Sequence, residues 1–578
     1  MPENQSTIAG KVRGRTLYSH FFRRFFDNDT LSLEAETQTT VIRALCAFAV
    51  PTLMVAFWLL PIYPGRAIGG VYQAGRDPWL IASDRYFFVL YSFVAMGTVT
   101  TFEWQMLFPD RSDFLILLPL GIKTRELFFA KGKALLAFLA MFLVAANIFS
   151  LILYPAVSTR AGDNFWLSLY AHFVSVALAG IFAAFAMLGI QGTMICLLPS
   201  AWFRAMSTIL QSLSITALLL LLLLFPLCGN HMQSLLQGRT TFAQFVPPLW
   251  FVSLYEYLMH PAAPPSAARG LVNTGLVATG VAVCVALITY PLAWSRQQKR
   301  ALEGASSARR ESGALFAGLL HRTLIKRPQQ RAIFHFISQT ISRSTRYQVY
   351  LAIYSGIGLA LALCSIVTLR IPPGTSNQTI ALALSNTGLH AILPLLLFWM
   401  VTGLRAAFAF PVDMLARWVF PINLPNPAND AKAAKIWIML CCGALTAVVF
   451  CILLSLKWSW LDLAIQAICG ISLALILADL FFVGRTQIPF TRPRMPGRAN
   501  LPIVFTLYGA LFPLLVYLTV QLELATEAHF AILVWIVLGT LGIHVVLRVA
   551  DYLAQKGIIG GFPEDEGDEG PLTLNLFQ

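Results

Sequence analysis

Charged side chains are scarce in this sequence. Asp, Glu, Lys and Arg make up 12% of its 578 residues, about half of the ~25% usual in soluble domains. A soluble globular protein of this length needs far more charge on its surface, so that class is excluded. Paired cysteine motifs are missing as well. The nine cysteines lie inside or at the end of apolar runs, none in CxxC spacing and none beside a His cluster. That pattern describes small packing residues, and neither a disulfide nor a metal site is expected. No GxxxxGK[ST] occurs, so the chain has no phosphate-cradling loop of its own. HExxH, GxSxG and a strand-borne GxGxxG are absent too, and no polar stretch is long enough for a catalytic domain. No catalytic residue, and no cofactor in this chain, is therefore expected. Residues 1–40 contain no short apolar stretch followed by a small-residue cleavage site, so the first membrane helix is expected to act as its own insertion signal.

What the sequence does have is apolar length. Residues of the set AVILMFWYC form 57% of it, and the mean hydropathy is +0.70. A membrane helix needs about 20 mostly apolar residues. Such runs lie near 41–63, 86–103, 134–156, 167–198, 207–228, 271–294, 347–368, 388–404, 436–456, 461–483, 502–520 and 530–549. The expected fold class is therefore all-α, a polytopic integral membrane protein of about twelve transmembrane helices.

Basic residues orient those helices. With the N-terminus inside, the inner segments carry 32 Lys and Arg and the outer loops 8. That bias predicts both termini cytoplasmic and an even helix count; the expected location is multi-pass in a bacterial-type inner membrane. It also explains most of the net charge of +14 as topology and attraction to an anionic leaflet, with no nucleic acid. The expected organisation is an interfacial N-terminal segment (1–40), a first six-helix half (41–294), a basic linker with an interfacial helix (295–346), a second six-helix half (347–549) and an acidic tail (550–578).

The halves share a signature. Phe108-Pro109-Asp110-Arg111-Ser112-Asp113 follows the second helix, and Phe410-Pro411-Val412-Asp413 follows the eighth, 302 residues later. A second proline closes each copy, at Pro119 and Pro421, and the same offset carries Lys133 onto Lys435. Six helices per repeat is an even number, so the two halves have parallel topology. Pro109 suits the first turn of a short helix, where Asp110 and Asp113 complement the helix dipole. Such a helix in a mixed-charge cytoplasmic loop is a candidate docking knob for a soluble partner. Within the spans the main polar residues are Asn147, His172, Gln191, His390, Asp479 and His544. Intramembrane polar groups are functional candidates, although Asn147 and Gln191 also suit plain interhelical hydrogen bonding. No span is expected to carry the set of mid-membrane Asp, Glu and Arg residues that ion coupling needs.

The stretch FPDRSDFLILLPLGIKTRELFFAK (108–131) resembles the cytoplasmic loop of permeases of ATP-binding-cassette (ABC) exporters. Gly189-Ile190-Gln191-Gly192, Pro247-Pro248-Leu249-Trp250-Phe251 and Gly403-Leu404-Arg405-Ala406 through Pro411 are similar to the same family. The resemblance implies an exporter permease without its own motor, worked by a separate soluble ATPase that holds the ATP and magnesium. A loop helix of each half would sit in a cleft of one ATPase copy. By this likeness the coupling residues are Phe108, Pro109, Asp110, Arg111, Asp113, Arg125 and Glu126 in the first half, and Phe410, Pro411, Asp413 and Arg417 in the second. Many such permeases carry six helices per chain and dimerise. Twelve in one chain imply a fused pair with two ATPase copies, and the second loop lacks the Asp-Arg pair. The alternative is an ion-coupled twelve-helix secondary transporter, which would rely on Asp479, His172 or His390.

Overall fold

The computed structural model describes residues 2–26, 37–63, 77–104, 106–108, 111–159, 164–237, 241–261, 264–303, 327–370, 381–409, 427–482, 490 and 501–555. Among these, twelve helices are long and apolar enough to cross a membrane. The chain divides into two compact units, Met1–Ala308 with Thr368–Ala383, and Arg309–Val367 with Leu384–Gln578.

The first unit runs α1 (Pro2–Arg24), α2 (Thr37–Leu59), α3 (Pro78–Phe102), α4 (Arg111–Leu117), α5 (Thr124–Ser158), α6 (Phe165–Leu197), α7 (Ser200–Leu223), α8 (Phe225–Asn230), α9 (Met232–Leu236), α10 (Pro247–Met259) and α11 (Ala268–Glu303). Its spans are α2, α3, α5, α6, α7 and α11. The second unit runs α12 (Pro328–Arg343), α13 (Thr345–Ile366), α14 (Asn386–Ala409), α15 (Pro427–Ser455), α16 (Trp460–Phe482), α17 (Leu501–Ala528) and α18 (Ala531–Gln555). All but α12 are spans. A two-stranded ribbon, β1 (Val367–Arg370) paired with β2 (Ala381–Leu384), joins α13 to α14.

The second span of each unit is its axis. In α3, Tyr86, Phe88, Val89 and Leu90 are fully buried, and α5, α6, α7 and α10 surround the helix. In α14, Leu397 and Val401 are equally buried, and α13, α15, α16 and α17 surround it. Several pairings recur in both units: second span with third, fourth and fifth, third with fourth, fourth with sixth, and an amphipathic helix against the third. That last helix is α1 on α5, where Phe25 and Phe138 stack at 4.7 Å between ring centroids. In the second unit it is α12 on α15, where Trp437 Nε1 donates to Ser338 Oγ at 2.9 Å. The first span breaks the pattern. It packs on the third span in the first unit and on the second in the other.

Two connections differ most. Between the fifth and sixth spans the first unit inserts α8, α9 and α10, whereas His529 and Phe530 alone separate α17 from α18. Residues 247–259 lie outside the twelve long apolar runs, yet Pro247 and Pro248 open a helix that buries Leu249, Phe251, Val252 and Tyr255.

Candidate functional site

At one end of the first unit the 104–131 segment folds onto the spans. Trp104 Nε1 donates to Ser207 Oγ of α7 at 2.7 Å, and the Gln191 amide of α6 donates to the Trp104 carbonyl. Phe108 packs on Tyr290 of α11 at 5.0 Å between centroids, and Tyr290 donates to the Leu107 carbonyl at 3.3 Å. Room for this depends on Gly192, where an added Cβ would collide with Thr289 and come within 3.5 Å of the Phe108 ring.

Short α4 is held by charge. Lys131 Nζ lies 3.1 Å from Asp113 Oδ2 and 3.0 Å from the Phe108 carbonyl, and Arg24 of α1 pairs with Asp113 Oδ1. Lys131 also sits 5.3 Å from the centre of the Phe21 ring. One carboxylate thus ties α1, α4 and α5 together in a setting where each ion is compensated. Phe114 packs on Trp294 of α11 at 5.6 Å. The turn after α4 closes at Gly121, whose φ of +75° is a left-handed value that a side chain disfavours.

Phe108 and Asp113, expected at the partner surface, are buried at 2% and 3% exposure. They brace the loop from beneath. What faces outward is Leu115, Ile116 and Leu120, followed by Arg125 and Glu126 at the start of α5. Arg111 opens α4, and its side chain lies outside the described residues. So do Pro109, Asp110, Phe410, Pro411, Asp413 and Arg417. The lysine register is also revised. Lys133 is exposed, whereas Lys435 is buried and lies 3.2 Å from Asp479 Oδ1 and 3.7 Å from Asp551 Oδ2. His544 Nδ1 contacts the other oxygen of Asp479. The lysine that does in the first unit what Lys435 does in the second is therefore Lys131, two residues off the 302-residue offset.

The spans hold more charge than the sequence suggested. Arg85 Nη1 lies 2.8 Å from Glu256 Oε1 of α10, both buried, and its guanidinium stands 4.6 Å from the Tyr255 ring centre. Burial pushes the Tyr255 hydroxyl upward, against the opposing pull of Arg85. Beside it, Tyr63 donates to Asp84 Oδ2 at 2.6 Å. His172 is fully buried among Phe88, Tyr154 and Tyr255, at 5.6, 5.3 and 5.8 Å between centroids. Asn147 Nδ2 donates to Ser92 Oγ at 3.0 Å, and Ser92 in turn donates to the Val176 carbonyl at 2.8 Å. That chain links α5, α3 and α6 as interhelical polar contacts do in lipid. In the second unit His390 lies between Glu523 and Glu527 of α17.

Sequence reading missed Arg85 and Asp84 because it began the second span at residue 86. The signal was there: Asp77 caps the helix by accepting from the Trp79 N–H at 2.8 Å, with Pro78 in the first turn. The carboxylates of Glu523 and Glu527 fell beyond the expected end of the eleventh span. They continue it, four residues apart on one face of α17. All nine cysteines are free thiols. Among the described residues no cluster of three or more His, Cys, Asp and Glu is arranged to hold a metal. No family model matches the chain, and neither the curated proteins nor the solved structures contain a match to it.

Proposed function

We propose that this chain is the membrane permease of an ABC-type exporter, driven by a separate soluble ATPase acting in two copies, with ATP and magnesium held by that partner. The proposed setting is a bacterial-type inner membrane with both termini in the cytoplasm, as the distribution of basic residues suggests. The observation that carries the reading is the braced loop of the first unit. Its short helix turns Leu115 and Ile116 outward, while Asp113, Lys131 and Phe108 fasten it to α1, α5 and α11. A partner pressing on that ridge would push on α1, α5 and α11 through these contacts.

Co-purification with a spanless ATPase encoded beside this gene tests the reading. The expected result is a complex that L115D/I116D abolishes while the permease stays folded. Survival of the complex in that variant, or the absence of any bound ATPase, overturns it. A second reading, ion-coupled transport, draws on the buried acids Glu256, Asp479 and Glu523. It predicts transport stopped by an uncoupler and indifferent to ATP depletion.

A further inference from the structure

In the first turns of α14, His390 is buried with both ring nitrogens engaged. Nδ1 lies 3.2 Å from Glu523 Oε2 and Nε2 lies 3.3 Å from Glu527 Oε1. A neutral imidazole has one N–H and one lone pair, so it can donate to only one of these carboxylates and must turn its lone pair on the other. The imidazolium donates to both. The Trp458 ring lies 4.8 Å away between centroids, tilted 48° to the imidazole. Glu523 is fully buried, and its Oε1 has no hydrogen-bond partner, so the carboxylate depends on His390 for compensation. Glu527 is 29% exposed and gives the group an edge on water.

We propose that His390, Glu523 and Glu527 form a proton-binding site, in which the bound proton is the clasp between α14 and α17. The ligand is a proton exchanged with water at the Glu527 edge. On release it leaves Nε2 for a water molecule or hydroxide. The Nδ1–H stays on Glu523, and the bared Nε2 lone pair faces the Glu527 carboxylate. That end of α17 then loses one of its two charged ties to α14. Among the described residues the surrounding titratable groups are few. Half-buried Asp462 of α16 adds negative charge toward His390, and buried Cys469 of α16 neighbours Glu523. Lys457 is exposed beside Trp458, His529 is exposed just beyond α17, and Cys364 lies at the adjoining end of α13. The inference rests on neither energy source proposed above.

The test is the apparent unfolding temperature of the full chain in lipid nanodiscs, from about pH 5 to about pH 9, a range that spans ordinary imidazole titration. The unmodified chain is expected to lose stability as pH rises, because the clasped state holds the proton. H390R, which supplies a cation that keeps its charge, is expected to flatten the curve, so that its advantage grows by roughly 2–4 °C at the alkaline end. Equal slopes for the chain and H390R overturn the proposal. Should H390R not fold, E527Q, altered at the partly exposed carboxylate, decides the matter. A reduced slope supports the site, and an unchanged slope overturns it.

Discussion

The two units solve one mechanical problem with different chemistry. In each, a basic residue near the start of the second span is tied to glutamate, which comes from α10 after the fifth span in the first unit and from the end of the fifth span itself in the second. The first unit uses Arg85 and Glu256, and the second uses His390 with Glu523 and Glu527. A guanidinium keeps its charge at any pH a cell meets, whereas an imidazole sits near its own titration. One clasp is therefore permanent and the other conditional. At the opposite ends the third span is anchored by a lysine, Lys131 to Asp113 and Lys435 to Asp479. In the first unit that anchor reaches a loop helix, and in the second it reaches the fourth span. The first unit's lysine thus fastens a loop helix, whereas the second unit's fastens span to span.

The largest effect expected is at the permanent clasp. Glu256→Ala strands a buried guanidinium, and the loss should be about 3–5 kcal/mol in equilibrium unfolding at any pH. Glu523→Ala should match it only at acidic pH and cost visibly less once His390 is neutral. Equal costs at both pH extremes would erase the contrast between the units. Next come the lysines. Lys131→Ala and Lys435→Ala should each cost about 3 kcal/mol, because each leaves a buried aspartate short of a partner. Lys133→Ala should stay within about 0.5 kcal/mol, since its side chain is exposed. Should Lys133 prove the costlier of the first unit's lysines, the register drawn above is wrong. Gly121→Val should cost about 1–2 kcal/mol through its left-handed backbone. Smallest in stability is L115D/I116D, within about 0.5 kcal/mol, although its effect on ATPase association should be complete.

Most of the fold was legible because the bilayer imposes one dominant rule, about twenty apolar residues per crossing. The runs from 41, 207 and 347 meet the structure within a few residues. Errors came where a helix carries charge inside its first turns. Asp84 and Arg85 made α3 look shorter than it is, and α10, at 13 residues, is too short to stand out as a crossing. Hydropathy averages over side chains and cannot tell a charge facing water from one facing its counter-ion in another helix. The loop motif showed the same limit. Phe108 and Asp113 stood out as unusual residues, but a motif does not say which of its members face inward. Only the meeting of Asp113 with Lys131 and Arg24, across 18 and 89 positions, decides that.

The tail of α11 bears on how the protein can be handled. The helix does not stop with its apolar run. It continues to Glu303, and Arg300 reaches back to the Leu198 carbonyl at 2.6 Å. A positive side chain there satisfies the open end of α6. Anyone dividing the gene to express the halves separately should therefore cut past Glu303. A cut at the last apolar turn would unplug the fourth crossing while leaving every crossing present.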